Sequence, residues 1–275
     1  MKNTIKQPIL SPGKVLIDSH CHLDMDDYRD DLDAIITDAR EAGVARIITI
    51  GIDFESSEKA VQIADRYSNV FATIGVHPHA AARASEKGYA KLARLAHNEK
   101  VIGYGEIGLD YAKKYAPEDV QLKTFVRQLR LAKELYLPVV IHDRDAHEDT
   151  LRILQENAPF PQGGVMHCFS GDSILADQVI KLGFYISIPG IITFKNAAVL
   201  QDVVRGLPLE HIILETDGPF LAPAPFRGKK NKPEFLTYTA QMVADLKNKT
   251  LDDVAFQTSA NTAKLFNLPS EGVLS

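Results

Sequence analysis

The sequence is poor in cysteine and has no tryptophan among its 275 residues. Its two cysteines, Cys21 and Cys168, cannot make a disulfide framework, which favours a reducing compartment. No hydrophobic run is long enough to cross a bilayer, and residues 1–14 lack the apolar core of a signal peptide. We therefore expect a cytoplasmic protein that does not associate with membranes.

Positive charge is not in excess either. The 31 Lys and Arg residues are outnumbered by 36 Asp and Glu residues, which gives a net charge of −5. This balance argues against general charge-driven adhesion to nucleic acid, although it leaves room for a local basic patch. A hydrophobic fraction of 45% and a charged fraction of 24% are typical of a globular domain.

Short apolar runs recur along the chain and are typical of strands buried on both faces of a parallel sheet. The runs are 15–19, 45–49, 71–75, 101–105, 139–141, 164–166, 184–188 and 212–214. Helical patterns lie between them, such as the apolar stripe Leu32, Ile35, Ile36 and Ala39. This alternation predicts an α/β fold, a (β/α)8 TIM barrel, for which ~250 residues are typical. An open doubly wound sheet is the alternative, weakened because no glycine-rich dinucleotide loop follows the first run.

No linker or low-complexity tract interrupts these runs, so we expect one barrel domain over residues 15–268. Residues 1–14 are predicted to form a flexible N-terminal extension, and residues 269–275 a C-terminal tail. The last helix, near residues 255–266, should pack back on the barrel.

The most informative motif is Asp18-Ser-His-Cys-His-Leu-Asp24, directly after the first apolar run. Side chains alternate along a strand, so His20 and His22 point to one side and Cys21 to the other. Two imidazoles on one face can hold a metal ion. A single His-X-His motif is a weak signal, so its weight depends on ligands at the ends of other strands.

Such ligands follow the other predicted strands, at the end of the barrel where TIM-barrel active sites lie. They are His77, His79, Glu106, Asp110, His142, His167 and Asp217. Together with the first motif, which contains His20 and His22, these segments hold six of the nine histidines. Each taken alone could be an ordinary core or loop histidine, but that does not explain why they gather at one rim. Histidine and carboxylate without thiolate suit zinc, manganese or a related ion.

This set exceeds what one tetrahedral ion needs, and a carboxylate can bridge two ions. We predict a binuclear site in which His20, His22 and Asp217 hold one ion, His142 and His167 hold the other, and Glu106 bridges them. Paired ions ~3.5–4 Å apart activate water for phosphate-ester hydrolysis. Mixed ligands of this kind do not distinguish Mg²⁺, Mn²⁺ and Zn²⁺.

Three further roles are predicted around this site. Asp217 is also the predicted general base. His77 is predicted to contact a substrate phosphate, with a structural cap of its turn as the alternative. Arg144 could bind phosphate through its planar fork, or form an ion pair with Asp143 or Asp145.

Two sets of charged residues have open interpretations. Asp18 and Glu215 either orient neighbouring imidazoles or cap the barrel mouth. The basic run Arg227, Lys229, Lys230 and Lys232 either follows a nucleic-acid backbone or is a solvated face.

In combination, these motifs resemble the TatD-type metal-dependent deoxyribonucleases of the amidohydrolase-like barrels. The resemblance covers residues 16–268. It rests on Asp18-Ser-His-Cys-His-Leu-Asp24, Gly75-Val-His-Pro-His79, Gly105-Glu-Ile-Gly-Leu-Asp-Tyr111, Pro138-Val-Val-Ile-His142, Met166-His-Cys-Phe-Ser-Gly171 and Leu214-Glu-Thr-Asp217. It implies a TIM barrel, two metal ions on the six ligands above, and hydrolysis of DNA with magnesium, manganese or zinc. It also implies a 3′-to-5′ exonuclease that prefers single-stranded ends. No obligate protein partner is evident from the sequence.

Three residues depart from that family's pattern: Asp143 where Ser is frequent, Gly218 where Ala or Ser is usual, and Lys232 where Glu is usual. None is a predicted ligand. A carboxylate at position 143 would repel a phosphate or add a metal contact, and Lys232 makes its loop more basic.

The sequence leaves two rival functions open. The first is hydrolysis of a small molecule, such as a cyclic amide, lactone or phosphoester, at the same binuclear site. Many such barrels bridge their metals with a modified lysine on strand four, where this chain has Glu106. The second is a non-catalytic binding protein, which the complete ligand set argues against.

Overall fold

The computed structural model describes residues 7–269, which form eight β-strands and nine α-helices. The strands are β1 (Leu16–Cys21), β2 (Val44–Ile50), β3 (Val70–Ile74), β4 (Val101–Asp110), β5 (Val139–Arg144), β6 (Gly164–Met166), β7 (Phe184–Ile188) and β8 (Ile212–Leu214). The helices are α1 (Leu32–Glu41), α2 (Phe54–Arg66), α3 (Glu86–Leu95), α4 (Glu118–Glu134), α5 (His147–Glu156), α6 (Ser173–Lys181), α7 (Ala198–Gly206), α8 (Leu236–Lys247) and α9 (Leu251–Leu265).

The strands form one sheet in chain order, and each neighbouring pair from β1 to β8 is parallel. The sheet closes where β8 meets β1. Cys21 forms a parallel bridge with Gly218, and Ser19 Oγ donates a hydrogen bond to the Leu214 carbonyl oxygen at 2.9 Å. The predicted (β/α)8 TIM barrel is therefore confirmed, and the open doubly wound sheet is wrong.

Apolar side chains fill two layers because strand residues alternate in direction. One layer lies between the sheet and the helices, where Ile47 of β2 packs with Ile35 and Ala60. The other joins alternate strand residues such as Ile48 and Val140 with Phe266 and its neighbours after α9. Phe266 and Leu268 thus fill one mouth of the barrel, and the polar strand ends lie at the other.

Helix α9 packs back on the barrel as expected but begins four residues earlier than predicted, at Leu251. The cause is a capping box: Thr250 Oγ1 accepts a hydrogen bond from the Asp253 backbone N–H, and the Asp253 carboxylate accepts one from the Thr250 N–H. Asn261 then donates to the carbonyl oxygens of Leu209 and Ile212 at 2.9 and 2.7 Å. These bonds hold α9 against the start of β8.

Strand β4 continues five residues past the predicted run, as far as Asp110. It lies very close to β5, where Gly108 pairs with His142 in register. A Cβ on Gly108 would lie 1.9 Å from the His142 carbonyl oxygen, and the φ of +146° at this position is one that only glycine adopts readily. Glycine here therefore allows β4 to bring Glu106 and Asp110 alongside His142.

The predicted division into residues 1–14, 15–268 and 269–275 stays a prediction. Residues 1–6 and 270–275, which belong to the predicted extension and tail, lie outside the described residues. Within the described part, Leu10 packs against the core, and the Ser11 N–H donates to Asp252 at 3.0 Å. No helix within residues 7–269 has the length and apolar character needed to span a membrane.

We expect Gly108→Ala to lower the free energy of unfolding by at least about 2 kcal/mol, because a side chain there is strained and meets β5. Urea unfolding followed by circular dichroism measures the difference. Gly206→Ala is the matched control, because a Cβ there meets nothing within 4 Å. Equal losses in the two variants would contradict the close approach of β4 and β5.

Candidate metal centre

The polar strand ends open into a cleft of about 650 Å³ at the mouth of the barrel opposite Phe266. Every predicted site residue except His20 lines this cleft: His22, His77, Glu106, His142, Arg144, His167 and Asp217. His20 is buried beneath it and 1% exposed. The barrel therefore brings all the predicted ligands together.

Glu106 lies at the centre of the cluster and is buried. Its Oε2 lies 3.5 Å from His20 Nε2 and 4.0 Å from His22 Nε2. Its Oε1 lies 2.6 Å from His142 Nδ1 and 3.1 Å from His167 Nε2. Burial alone would raise the pKa of Glu106, but the nearby imidazoles outweigh it and hold that pKa well below its usual value. One carboxylate thus faces two groups of imidazoles.

The first group consists of His20, His22 and Asp217. His20 Nε2 and His22 Nε2 lie 3.3 Å apart, and Asp217 Oδ1 lies 3.8 and 3.3 Å from them. Ligand atoms bound tetrahedrally to one zinc ion lie about 3.3–3.6 Å from one another, given bonds of about 2.0–2.2 Å. The observed spacing therefore matches a metal site to within a few tenths of an ångström.

The charges of the first group also fit a cation. Burial, with the neighbouring His167, lowers the pKa of His20 to about 3, so its ring is neutral. Burial disfavours charge on His22 as well, but Asp217 outweighs it and raises the pKa of His22. A cation at the two Nε2 atoms, which lie 3.3 Å apart, would supply the positive charge that Asp217 stabilises. Nδ1 of each ring is buried without a hydrogen-bond partner within the described chain.

The second group consists of His142 and His167, each with a carboxylate at its far ring nitrogen. His142 Nε2 lies 3.2 Å from Asp110, and His167 Nδ1 lies 3.2 Å from Glu215. The hydrogen bond of His142 Nε2 to Asp110 leaves Nδ1 of that ring to offer its lone pair, whereas His167 Nδ1 has no hydrogen-bond partner within the described chain. Burial disfavours charge on His142, but Asp110 and Glu106 outweigh it and raise its pKa to about 9. A cation would supply the positive charge that these carboxylates stabilise.

His77 lies beside the second group, and its ring proton is on the nitrogen that faces Glu106. Its Nδ1 accepts a hydrogen bond from the His79 backbone N–H at 3.1 Å, so the structural cap considered from the sequence is present. Burial lowers its pKa to about 4. A neutral ring that accepts at Nδ1 carries its proton on Nε2. That Nε2 lies 3.4 Å from Glu106 Oε1 and faces this carboxylate.

Arg144 is exposed at the end of β5 and lines the cleft. Within residues 7–269 it forms no ion pair with Asp143 or Asp145, which removes the alternative considered from the sequence. Of the two carboxylates with open roles, Glu215 lies beside an imidazole. Asp18 instead accepts hydrogen bonds from the Thr216 N–H and hydroxyl at 2.9 and 2.5 Å, at the barrel mouth.

The structure explains two of the departures from the family pattern, Asp143 and Gly218. The Asp143 carboxylate lies 2.6 Å from His147 Nδ1 and accepts a hydrogen bond from Thr150, so α5 engages its charge. A Cβ on Gly218 would lie 2.3 Å from the Tyr28 hydroxyl oxygen. Gly218 is therefore required by the position of Tyr28.

Three of the four cations of the basic run at residues 227–232 contact other parts of the protein, and none of the four lines the cleft. The Arg227 guanidinium stacks over Phe194, with its Cζ 4.5 Å from the ring centroid. Lys230 donates to the Asp27 carbonyl oxygen at 2.7 Å, and Lys232 lies 3.3 Å from Glu234. These contacts favour the solvated-face interpretation.

The sequence placed Asp110 among the strand-end residues without a specific role, and it did not single out several others that the structure brings to the site. Asp110 contacts both His142 and His79, and its even spacing from Glu106 along one strand was the available signal. Arg83, Lys113, Tyr115 and Phe220 also line the cleft. They come from connecting segments, where no periodicity indicates direction.

The chain is similar to several known proteins over most of its length. The model of a family described as TatD related DNase matches residues 17–267. YabD of Bacillus subtilis strain 168, an uncharacterized metal-dependent hydrolase, is 40% identical over 254 residues, which cover 92% of this chain and 100% of YabD.

Two further relatives cover as much of the chain. The 3′-5′ ssDNA/RNA exonuclease TatD of Erwinia amylovora is 34% identical over 92% of this chain and 100% of its own length. The crystal structure of YJJV, a TatD homologue from Escherichia coli K12, superposes with a TM-score of 0.88 at 32% identity, covering 92% of this chain and 98% of YJJV.

We expect Glu106→Gln to weaken binding of Mn²⁺ or Zn²⁺ by more than about 100-fold, because loss of a supporting residue alone costs 10–100-fold in affinity. Calorimetric titration of metal-stripped protein measures the effect. Asp143→Asn is the control, since it removes a neighbouring strand-end carboxylate that faces α5. Equal affinities of the two variants would exclude Glu106 as a metal ligand.

Proposed function

This chain belongs to the TatD related DNase family and is a metal-dependent hydrolase, and from that premise we propose that it is an exonuclease. It removes nucleotides from the 3′ ends of single-stranded DNA by hydrolysing phosphodiesters. The observation that carries this proposal is the buried Glu106, whose two oxygens face two separate groups of imidazoles. The direction and substrate are supported by the name of the Erwinia amylovora relative.

We propose that two divalent ions bind here, shared through Glu106. One is held by His20, His22 and Asp217, and the other by His142 and His167. Ions bound by these residues would lower the pKa of a bound water and would neutralise charge on the phosphoryl oxygens. Mg²⁺, Mn²⁺ and Zn²⁺ all suit this mixture of imidazole and carboxylate.

Asp217 is the proposed general base. Its backbone N–H donates to the His20 carbonyl oxygen at 2.8 Å, which fixes the residue directly after β8. Its side chain is 13% exposed, so one end of the carboxylate reaches the cleft while Oδ1 faces His22. A carboxylate in this position can take a proton from the attacking water.

His77 and Arg144 are proposed to bind the phosphate. The Nε2–H of His77 already points at an anionic oxygen, that of Glu106, and a phosphoryl oxygen entering the cleft would meet the same donor. Arg144 supplies a charged planar fork at the rim, not engaged by a neighbouring carboxylate. Both side chains therefore hold substrate rather than metal.

The cytoplasm is the proposed compartment. Cys21 and Cys168 are both free thiols, as a reducing environment maintains them. DNA is the proposed partner, and no obligate protein partner is part of the proposal.

The test of function is hydrolysis of single-stranded DNA labelled at either end, with metal-stripped protein supplied with Mg²⁺, Mn²⁺ or Zn²⁺. We expect metal-dependent release of single nucleotides from the 3′ end, and none from Glu106→Gln. Progressive shortening from the 5′ end would reverse the proposed direction. Metal binding without DNA cleavage would favour the small-molecule hydrolase instead.

The role of Asp217 is tested by Asp217→Asn, with metal content assayed beside turnover. Loss of a general base lowers the rate roughly 10²–10⁴-fold, so we expect a loss in that range. Asp145→Asn is the matched control, because Asp145 is exposed and has nearly the same backbone conformation, with φ of 54° against 56°. Near-normal turnover of the Asp217 variant would reject the assignment.

A further inference from the structure

A second cavity of about 350 Å³ adjoins the metal cleft. Asp53, Ala80 and Arg83 line both, so these three residues form the boundary between the two spaces. The cavity lies between the start of α2 and the length of α3. We call it the α3 groove and define it by Phe54, Ala80, Arg83, Lys87, Lys91 and Arg94.

One wall of the α3 groove is basic. Lys87, Lys91 and Arg94 are spaced by four and three residues along α3, so they share one side of the helix. Arg83 lies just before the helix, at the junction with the metal cleft. This wall is a local feature, because the protein as a whole carries a net charge of −5.

Two of these four cations are engaged within the protein. Arg83 lies 3.0 Å from Asp53, and Lys91 lies 2.7 Å from Glu58. Lys87 and Arg94 form no ion pair with any residue of the described chain. Asp53 and Glu55 line the groove and Glu58 pairs with Lys91, so the four cations exceed these acidic residues by one. The net charge of the groove suits a polyanion.

The floor of the α3 groove is apolar and carries an aromatic ring. Phe54 is partly exposed there and packs edge-on against Tyr89, with centroids 6.2 Å apart. A Cβ on Gly88 would lie 2.1 Å from the Phe54 ring, so this glycine leaves the space that the ring occupies. The ring is therefore held in place between α2 and α3.

We propose that the α3 groove binds the part of a single DNA strand that extends away from the metal cleft, with phosphates on Lys87 and Arg94 and a base on Phe54. A basic groove combined with an aromatic platform is how proteins bind single strands without sequence preference. This proposal rests on the proposed nuclease function. It adds a path for the strand, which leaves the cleft past Arg83 and not along residues 227–232.

The test compares Lys87→Gln/Arg94→Gln with the control Lys181→Gln/Arg205→Gln. The control removes the same charges from exposed positions on α6 and α7, across the barrel from α3. Binding of a fluorescent 15-nucleotide single strand with phosphorothioate linkages, which resist hydrolysis, is measured by anisotropy from low to high salt. Turnover of bis(p-nitrophenyl) phosphate, too small to reach the groove, reports on the metal centre alone.

Each phosphate contact contributes about −0.7 to the slope of log K against log salt for single strands. We therefore expect the groove variant to have a slope shallower by about 1.4 and an affinity weaker on the order of tenfold at 0.1 M salt. The control should retain the slope of the unmodified protein.

Two results would overturn the proposal. One leaves the proposed nuclease function intact, and the other rejects it as well. If the unmodified protein binds the strand and the groove variant binds it with the same slope, the α3 groove is not the path and the nuclease function stands. If the unmodified protein turns over the small phosphodiester but neither binds nor cleaves DNA, the proposed DNA substrate fails as well.

Discussion

The arrangement at the barrel mouth depends on one buried carboxylate. Glu106 is almost completely enclosed, and an isolated charge removed from water is penalised by several kcal/mol. It stays ionised because imidazoles surround both of its oxygens. Those imidazoles come from four different strands or the segments after them, so the charge is stable only when β1, β3, β5 and β6 are all in register around β4.

The carboxylates that contact the imidazoles are themselves held in place by residues further from Glu106. Asp110 receives its position from Gln121 of α4, whose side chain accepts from the Asp110 N–H at 2.8 Å and donates to its carbonyl oxygen at 3.0 Å. Glu215 accepts from the Ser187 hydroxyl at 2.6 Å and from the Cys168 N–H at 2.8 Å. Helix α4 and strand β7 therefore position Asp110 and Glu215, although neither element supplies a predicted ligand.

Much of this could be predicted because it follows from periodicity. The His20 and His22 pair follows from alternation along a strand, and the ends of parallel strands meet at one rim, so the six predicted ligands are found together. The limits of β4 and α9 were missed for local reasons. Asp110 is polar yet buried, since histidines pair with it, and the Thr250 capping box extends a helix beyond its apolar stripe.

What could not be predicted depends on side chains that meet from distant segments. Nothing near Asp143 in the apolar pattern shows that α5 turns His147 towards it, and nothing near Gly218 reveals the Tyr28 hydroxyl. The basic run at 227–232 is prominent in the sequence, but three of its four cations make contacts within the protein. The four cations of the α3 groove are less conspicuous, because each lies three or four positions from the next and only the turn of α3 places Lys87, Lys91 and Arg94 on one side.

The closure between β1 and β8 has a consequence for when the candidate site is completed. His20 and His22 are made early in synthesis and Asp217 late, and the N–H of Asp217 donates to the carbonyl of His20. One group of candidate ligands is therefore assembled across the seam that joins the two ends of the sheet. In a ribosome-bound chain that has not yet released β8, Asp217 does not lie beside His20 and His22, so this group forms only when the barrel closes.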